Sequence, residues 1–152
     1  MKKKAIFPGT FDPFTIGHYS LVKRSLQLVD EVVIAVGIND TKKNYYSLDK
    51  RIEMIRALYA DVPEITVASY AGLTADFAKE TGACCIIRGV RSVNDFEYEK
   101  NMADMNRQLA GVETVVLFTE PEYAHISSTI VRELLRFGRD VSPFVPEGMK
   151  PE

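Results

Sequence analysis

One of only two histidines in the chain stands where a strand pattern gives way to a helix pattern. The stretch Gly9-Thr10-Phe11-Asp12-Pro13-Phe14-Thr15-Ile16-Gly17-His18 follows the apolar run Ala5-Ile6-Phe7. Gly9 lets backbone approach a ligand closely, and Thr10 offers a hydroxyl and an amide. Gly17 removes a side chain beside His18. The histidine falls in the first turn of the helix, where free N–H groups and the dipole favour an anion. A histidine there serves either as a cap or as a donor to phosphate, and the glycines and threonines around it favour phosphate.

Further donors recur after other apolar runs. In "IIRGVRSVNDFEYE", Arg88 closes a strand-like run and Gly89 and Arg91 follow. A guanidinium at a strand end beside glycine is placed for phosphate. Glu97 complements the dipole of the helix that follows. In "TEPEYAHISSTIVREL", Ser127, Ser128 and Thr129 open a helix, so hydroxyls and amides converge as an anion nest. An ordinary cap needs only one of the three. Lys42 and Lys43 follow a third run, and alone they read as solvated surface; Ser47 reads as the next cap. Gly72 lies in "SYAGLTADF", where Thr74 reads as a cap. His125 lies in a loop. The chain has no G-x-x-x-x-G-K-[ST], no G-x-G-x-x-G and no G-x-S-x-G. Donors without an acid, base and nucleophile suit phosphoryl or nucleotidyl transfer from a nucleoside triphosphate, which needs alignment and charge stabilisation.

The elements that must gather these donors are legible as alternation. Val- and Ile-rich runs fall at residues 4–7, 31–36, 65–68, 83–87 and 114–118, as strands buried on both faces do. Helical spacing falls at 18–29, 48–60, 74–81, 96–110 and 128–137, with Gly82 and Gly138 as stops. In the fourth helix Tyr98, Met102, Met105 and Leu109 form one apolar stripe. The pattern predicts an α/β fold: a single-domain (1–152), Rossmann-like, doubly wound five-stranded parallel sheet with helices on both faces. Right-handed crossovers then put every strand-to-helix loop on the carboxyl edge, where such sheets bind ligands. The proline-rich tail "VSPFVPEGMKPE" reads as a cap with a loose end.

Composition sets limits. The 152 residues suit one domain, and the formal net charge of −2 gives no global footprint for nucleic acid or an anionic membrane. Cys84 and Cys85 are neighbours without metal-site spacing and read as reduced, buried filler, which predicts a cytoplasmic protein. No apolar run approaches the roughly 18 residues of a membrane span, and the "MKKKAIFPGTF" start is no signal peptide.

These motifs also carry a resemblance. "GTFDPFTIGH" resembles the nucleotidyltransferase signature with its T/H-x-G-H core, and "ISSTIVR" resembles that superfamily's second motif. With "IIRGVRSVNDFEYE" and the chain length, the whole sequence is similar to the phosphopantetheine adenylyltransferases of bacterial coenzyme A synthesis. The resemblance implies reversible transfer of the adenylyl group of ATP to 4′-phosphopantetheine, giving dephospho-coenzyme A and pyrophosphate. It implies Mg²⁺ held mainly by ATP phosphates, with no metal-ligating residue. His18 then donates to the α-phosphate, Thr10 and Lys42 orient the attacking phosphate, and Arg91 joins them as catalytic. Arg88 and Thr74, with Thr10 and Lys42, bind the acceptor. ATP falls to Thr10, Phe11, His18, Gly89, Val90, Arg91, Glu99, Tyr123, Ala124, His125, Ile126, Ser127, Ser128 and Thr129. A homohexamer and feedback by coenzyme A are implied as well. Ile16 and Asn44 depart from the family pattern, and Thr74 occupies a slot that varies within it. The rival readings are a cytidylyltransferase acting on an alcohol phosphate, a mononucleotide adenylyltransferase, a tRNA-recognising module and a nucleotide sensor without turnover.

Overall fold

The Val- and Ile-rich runs become strands: β1 (Lys4–Gly9), β2 (Glu31–Gly37), β3 (Ile65–Tyr70), β4 (Cys85–Val90) and β5 (Glu113–Phe118). Between and after them lie α1 (Ile16–Ser25), α2 (Leu48–Leu58), α3 (Thr74–Thr81), α4 (Val93–Ala110) and α5 (Ser128–Arg136). The structure, a computed structural model, describes residues 1–39, 41 and 43–151. All strand pairs are parallel, in the order β3-β2-β1-β4-β5.

Strands β1 to β4 feed two cores because successive side chains point to opposite faces. Phe7, Ile34 and Ile87 join Leu21, Val22, Met54, Ile55 and Val131 from α1, α2 and α5. Ile6, Val33 and Ile86 join Ala78 of α3 and Val112 on the other face. Both faces of β1, β2 and β4 are therefore covered, which explains why their runs are continuously apolar, whereas the edge strands β3 and β5 stay partly exposed and are not buried on both faces as their runs suggested.

The chain winds outward from β1 in both directions, so the switch point lies between β1 and β4. There the sheet parts. β1 pairs with β2 from Lys4↔Glu31 to Gly9↔Val36, but with β4 only at Ala5↔Cys85 and Ile6↔Ile86. Pro8 brings no N–H to a ladder at this point. Arg88 bridges the gap instead, its Nη1 donating to the Pro8 carbonyl at 2.7 Å.

Several boundaries differ from the sequence expectation. β4 runs to Val90, so Arg88 and Gly89 sit within the strand and not beyond it. Gly89 is required there by packing: a Cβ would fall 2.4 Å from Leu21 Cδ1 of α1. α1 begins at Ile16 and ends at Ser25, short of residue 29; the buried Ser25 hydroxyl turns back to the Leu21 carbonyl at 2.6 Å. α4 begins at Val93, because Ser92 accepts from the Asp95 N–H. Thr74 is no cap. Leu73 precedes α3 without a side-chain bond, and the Thr74 hydroxyl pairs with Tyr70 Oη at 2.8 Å. Ser47 does cap α2, and Gly82 and Gly138 lie in the left-handed region that ends helices. Cys84 is exposed and precedes β4, so only Cys85 is buried filler. The tail returns Val141, Val145 and Met149 to the first core. No helix among the described residues is long and apolar enough to cross a membrane.

Candidate functional site

His18 is held by its own helix start. Thr15 is the N-cap of α1, accepting from the His18 N–H, while the Thr15 N–H donates to His18 Nδ1 at 2.9 Å. Cap and phosphate donor were alternatives in sequence; the geometry makes one residue serve the cap with one nitrogen and leave the other available. Since Nδ1 accepts a backbone N–H, the neutral ring carries its proton on Nε2. The ring packs against Phe7, Phe11 and Phe14, with centroids 6.1, 5.0 and 5.3 Å away. Burial, then the charges of Arg88 and Arg91, push its pKa down to about 3, so the imidazole is neutral near pH 7. Phe11 reaches this position with φ of +53°, a left-handed conformation outside glycine's usual reserve. Its buried ring backs His18, and Phe11 lines the cleft with Thr10.

Two cavities flank the parting of β1 and β4. The first, about 390 Å³, is lined by Thr10, His18, Arg91 and the α5 start from Ile126 to Thr129, among others. The second, about 530 Å³, reaches Tyr70, Gly72, Thr74, Met102 and Asn106. Both lie in the size range of small-molecule sites. They share one wall: Pro8, Gly9, Thr10, Arg88, Tyr98 and Glu99 line both. The Thr10 hydroxyl has no hydrogen-bond partner among the described residues.

The charged groups of that wall are pinned. The buried Glu99 carboxylate takes Arg88 Nε through both oxygens, at 2.7 and 3.0 Å. Arg91 crosses the first cavity's rim, donating from Nη1 to the Ile126 carbonyl at 3.2 Å and pairing with Asp95 at 3.5 Å. The hydroxyl nest is more committed than its sequence suggested. Ser127 Oγ accepts from the Ile130 N–H, Ser128 Oγ donates to the Pro13 carbonyl, and Thr129 Oγ1 accepts from Arg132. An anion at α5 is therefore left the Ser128 and Thr129 N–H groups, which have no partner within the helix, since Ser127 already takes the Ile130 N–H.

Of the sequence-predicted residues, Thr10, Phe11, His18, Arg88, Gly89, Arg91, Glu99, Ile126, Ser127, Ser128 and Thr129 line the first cavity. Thr74 lines the second. Val90 is buried and lines neither, because its side chain belongs to the core. Tyr123, Ala124 and His125 line neither cavity; Tyr123 packs beside Gly17, and His125 is exposed. Lys42 lies outside the described residues. Ile16 packs on the first core and faces neither cavity. The Asn44 carboxamide oxygen is buried without a partner among the described residues.

Sequence reasoning missed Asp12, Arg51, Asp95, Tyr98, Asn106 and Arg132. Arg132 lines the first cavity, fixed by the Asp12 carbonyl at 2.9 Å and the Thr129 hydroxyl. Its signal was present, as the last residue of "ISSTIVR". Asn106 is buried, lines the second cavity, and its side chain has no hydrogen-bond partner among the described residues. Its spacing of seven from Glu99 on one helix was the available signal.

The geometry offers cationic and N–H donors around one cavity, a second cavity through a shared wall and, among the described residues, no adjacent base-and-nucleophile pair. That suits transfer of a phosphoryl-type group between two bound molecules. Comparison with known proteins narrows the class. Residues 6–134 match the family model described as cytidylyltransferase-like. A phosphopantetheine adenylyltransferase of Phocaeicola vulgatus is 63% identical, over 97% of this chain and 98% of its own. One of Bacteroides thetaiotaomicron is 60% identical over 97% and 98%. Among solved structures, a putative nicotinate-nucleotide adenylyltransferase of Vibrio parahaemolyticus superposes with a TM-score of 0.68. It covers 98% of this chain and 96% of its own at 22% identity, so it speaks for the fold alone.

Proposed function

The chain belongs to the phosphopantetheine adenylyltransferases, within the cytidylyltransferase-like family, and from that premise we infer how its two cavities divide one reaction. The enzyme transfers the adenylyl group of ATP to 4′-phosphopantetheine in coenzyme A synthesis. A phosphate oxygen of the acceptor bonds to the α-phosphorus as the bond to the bridging β-oxygen breaks. Pyrophosphate leaves and dephospho-coenzyme A remains.

ATP takes the first cavity and the acceptor the second. The observation that carries this division is the shared wall, because the bond must form where two bound molecules meet. Thr10, with its unpartnered hydroxyl on that wall, receives the attacking phosphate; Lys42 assists it. Arg88 stands on the same wall for the acceptor. His18 donates Nε2–H to the α-phosphate, acting as a neutral hydrogen-bond donor with its tautomer preset by Thr15. Arg91 and the α5 N-terminus hold the β- and γ-phosphates, and no covalent intermediate is needed. Thr74 and Asn106 face the pantetheine arm.

No cluster of three or more His, Cys, Asp or Glu side chains able to cage a metal occurs among the described residues. The cleft's carboxylates are engaged: Asp12 by backbone N–H groups, Asp95 by Arg91 and Glu99 by Arg88. Protein ligands for Mg²⁺ do not fit, so the ion arrives on the phosphates of ATP, and none of the steps above depends on it. Coenzyme A carries the same pantetheine arm and competes for the second cavity. The exposed stripe Tyr98, Met102, Met105 and Leu109 supports assembly into a hexamer. Free Cys84 and Cys85 suit the reducing cytoplasm.

The test is pyrophosphate release from Mg-ATP and 4′-phosphopantetheine, which is expected well above the blank. Release with CTP in place of ATP would select the cytidylyl reading; binding of ATP without release would leave only a sensor.

A further inference from the structure

Arg51 is a charged residue of α2 that is only 2% exposed and lines neither cavity. Every hydrogen bond its guanidinium makes among the described residues goes to backbone. Nη1 donates to the Thr10 carbonyl at 2.7 Å and reaches the Gly37 carbonyl at 3.4 Å; Nε donates to the Tyr46 carbonyl at 3.3 Å. These carbonyls belong to the end of β2, the residue after β1 and the connection that enters α2. Asp12 completes the fastening from the other side: its carboxylate accepts the Tyr45 and Tyr46 N–H groups at 2.7 and 2.8 Å. Both polar groups of Tyr46's backbone are thus taken, one by Asp12 and one by Arg51.

A buried guanidinium is costly, and burial lowers Arg51's pKa even with the opposing charge of Asp12 nearby. An apolar side chain would fill the same space without that cost. What only a planar fork does is tie several carbonyls from separate segments into one geometry. One of them is Thr10, whose hydroxyl forms part of the wall between the cavities. The connection between β2 and α2 is also the segment whose sequence contains Lys42.

We propose that Arg51 is a positioning residue for the acceptor phosphate: it fixes the Thr10 backbone and ties Tyr46, at the α2 end of the β2–α2 connection, to the same guanidinium. The inference rests on the reading that Thr10 and Lys42 hold that phosphate. It is specific to one substrate. ATP rests on His18, Arg91 and α5, none of which Arg51 touches.

Arg51→Met removes the donors while keeping an unbranched side chain. On the folded fraction, kcat should fall about tenfold or more and KM for 4′-phosphopantetheine should rise, since small misplacements of reacting groups are costly. KM for ATP should stay within about twofold. Arg51→Lys, which keeps the charge and a donor for Thr10, should recover part of the loss. A lower melting temperature with unchanged kinetics would show a structural role only and overturn the proposal, as would equal movement of both KM values. If Arg51→Met does not fold, Arg51→Lys decides: a raised acceptor KM alone supports the proposal, and two unchanged constants refute it. Thr10→Val separates the layers. If it turns over as fast as the parent, the assignment of Thr10 fails and this inference with it. If it is slow while both Arg51 variants are normal, only the role of Arg51 is lost.

Discussion

Helices α1 and α4 both begin at the cleft, and they contribute to it in opposite ways. In α1 the functional group is made locally: Thr15 and His18 cap each other three residues apart, and Leu21, Val22 and Ser25 bury the helix behind them. In α4 two stripes run side by side, offset by one residue. Glu99, Ala103, Asn106 and Ala110 turn inward, with Glu99 and Asn106 buried at the cleft. Tyr98, Met102, Met105 and Leu109 lie one residue back and stay 39–62% exposed; Tyr98 and Met102 border the cavities, while Met105 and Leu109 line neither. The apolar stripe is therefore not the buried one. A donor made by local chemistry is complete within one chain; a helix that spends its inner face on polar site groups leaves its apolar face for another surface.

The sharpest way to break this contrast is at His18. Its donor is prebuilt, so His18→Ala should lower kcat at least ~10²-fold, about 2.7 kcal/mol of transition-state stabilisation. ATP affinity should change far less. An unaltered kcat in a variant that melts normally would refute the role. Acid behaviour supplies a second readout. With a folded pKa near 3 against the ordinary 6.5, His18 binds its proton more readily when the chain unfolds. It adds stability that is fully present above pH 6.5 and is lost as pH falls toward 3. Denaturant titrations should show His18→Gln losing less stability than the parent between those values. The kcat/KM profile of the parent should show no limb at pH 6.5 from this residue.

Most of the α1 side could be read from sequence, because its signals are short-range. Gly9, Thr10, Gly17 and His18 form one stretch, and the strand before it is apolar on both faces. The α4 side could not. Arg88 looked free at a strand end, yet the sheet's parting places it between Pro8 and a carboxylate eleven positions on. Ser127, Ser128 and Thr129 looked like three phosphate donors; Pro13 and Arg132, distant in sequence or on the far side of a turn, had already engaged two of them. Arg51 carried no local signal at all, since its partners come from three segments. Helical spacing in α4 was legible, but which of two adjacent stripes faces the sheet depended on polar residues with tertiary partners.

Arg91 tests the less complete side. It is half-exposed and, among the described residues, held only by Asp95 and one carbonyl, contacts it can exchange for phosphate. Arg91→Ala should weaken ATP binding about tenfold by calorimetry, the scale of one charge-assisted pair. An unchanged dissociation constant would remove Arg91 from the ATP side. The outer stripe comes next. Met105 is 50% exposed, so Met105→Glu should leave the melting of the separated chain nearly unmoved. Sedimentation should nonetheless shift toward smaller species. An identical sedimentation profile would show that the stripe is not where copies meet.

The smallest effect is expected at Ile16, and it tests whether α1 is as self-contained as it looks. Ile16 occupies a position where a small polar residue would suit the family pattern. It is the first residue of α1, between the N-cap Thr15 and Gly17, yet its side chain packs on the core and lines neither cavity. The cap itself is built from Thr15 and His18, which a change at 16 leaves in place. Ile16→Asn therefore removes only partial apolar burial, about 1 kcal/mol of stability. Both KM values and kcat should stay within about twofold. A larger kinetic change would mean that the turn before His18 depends on packing behind it as well as on its cap. Loop one would then be supported through the core, as α4 is, and the contrast between the two helices would narrow to their exposed faces.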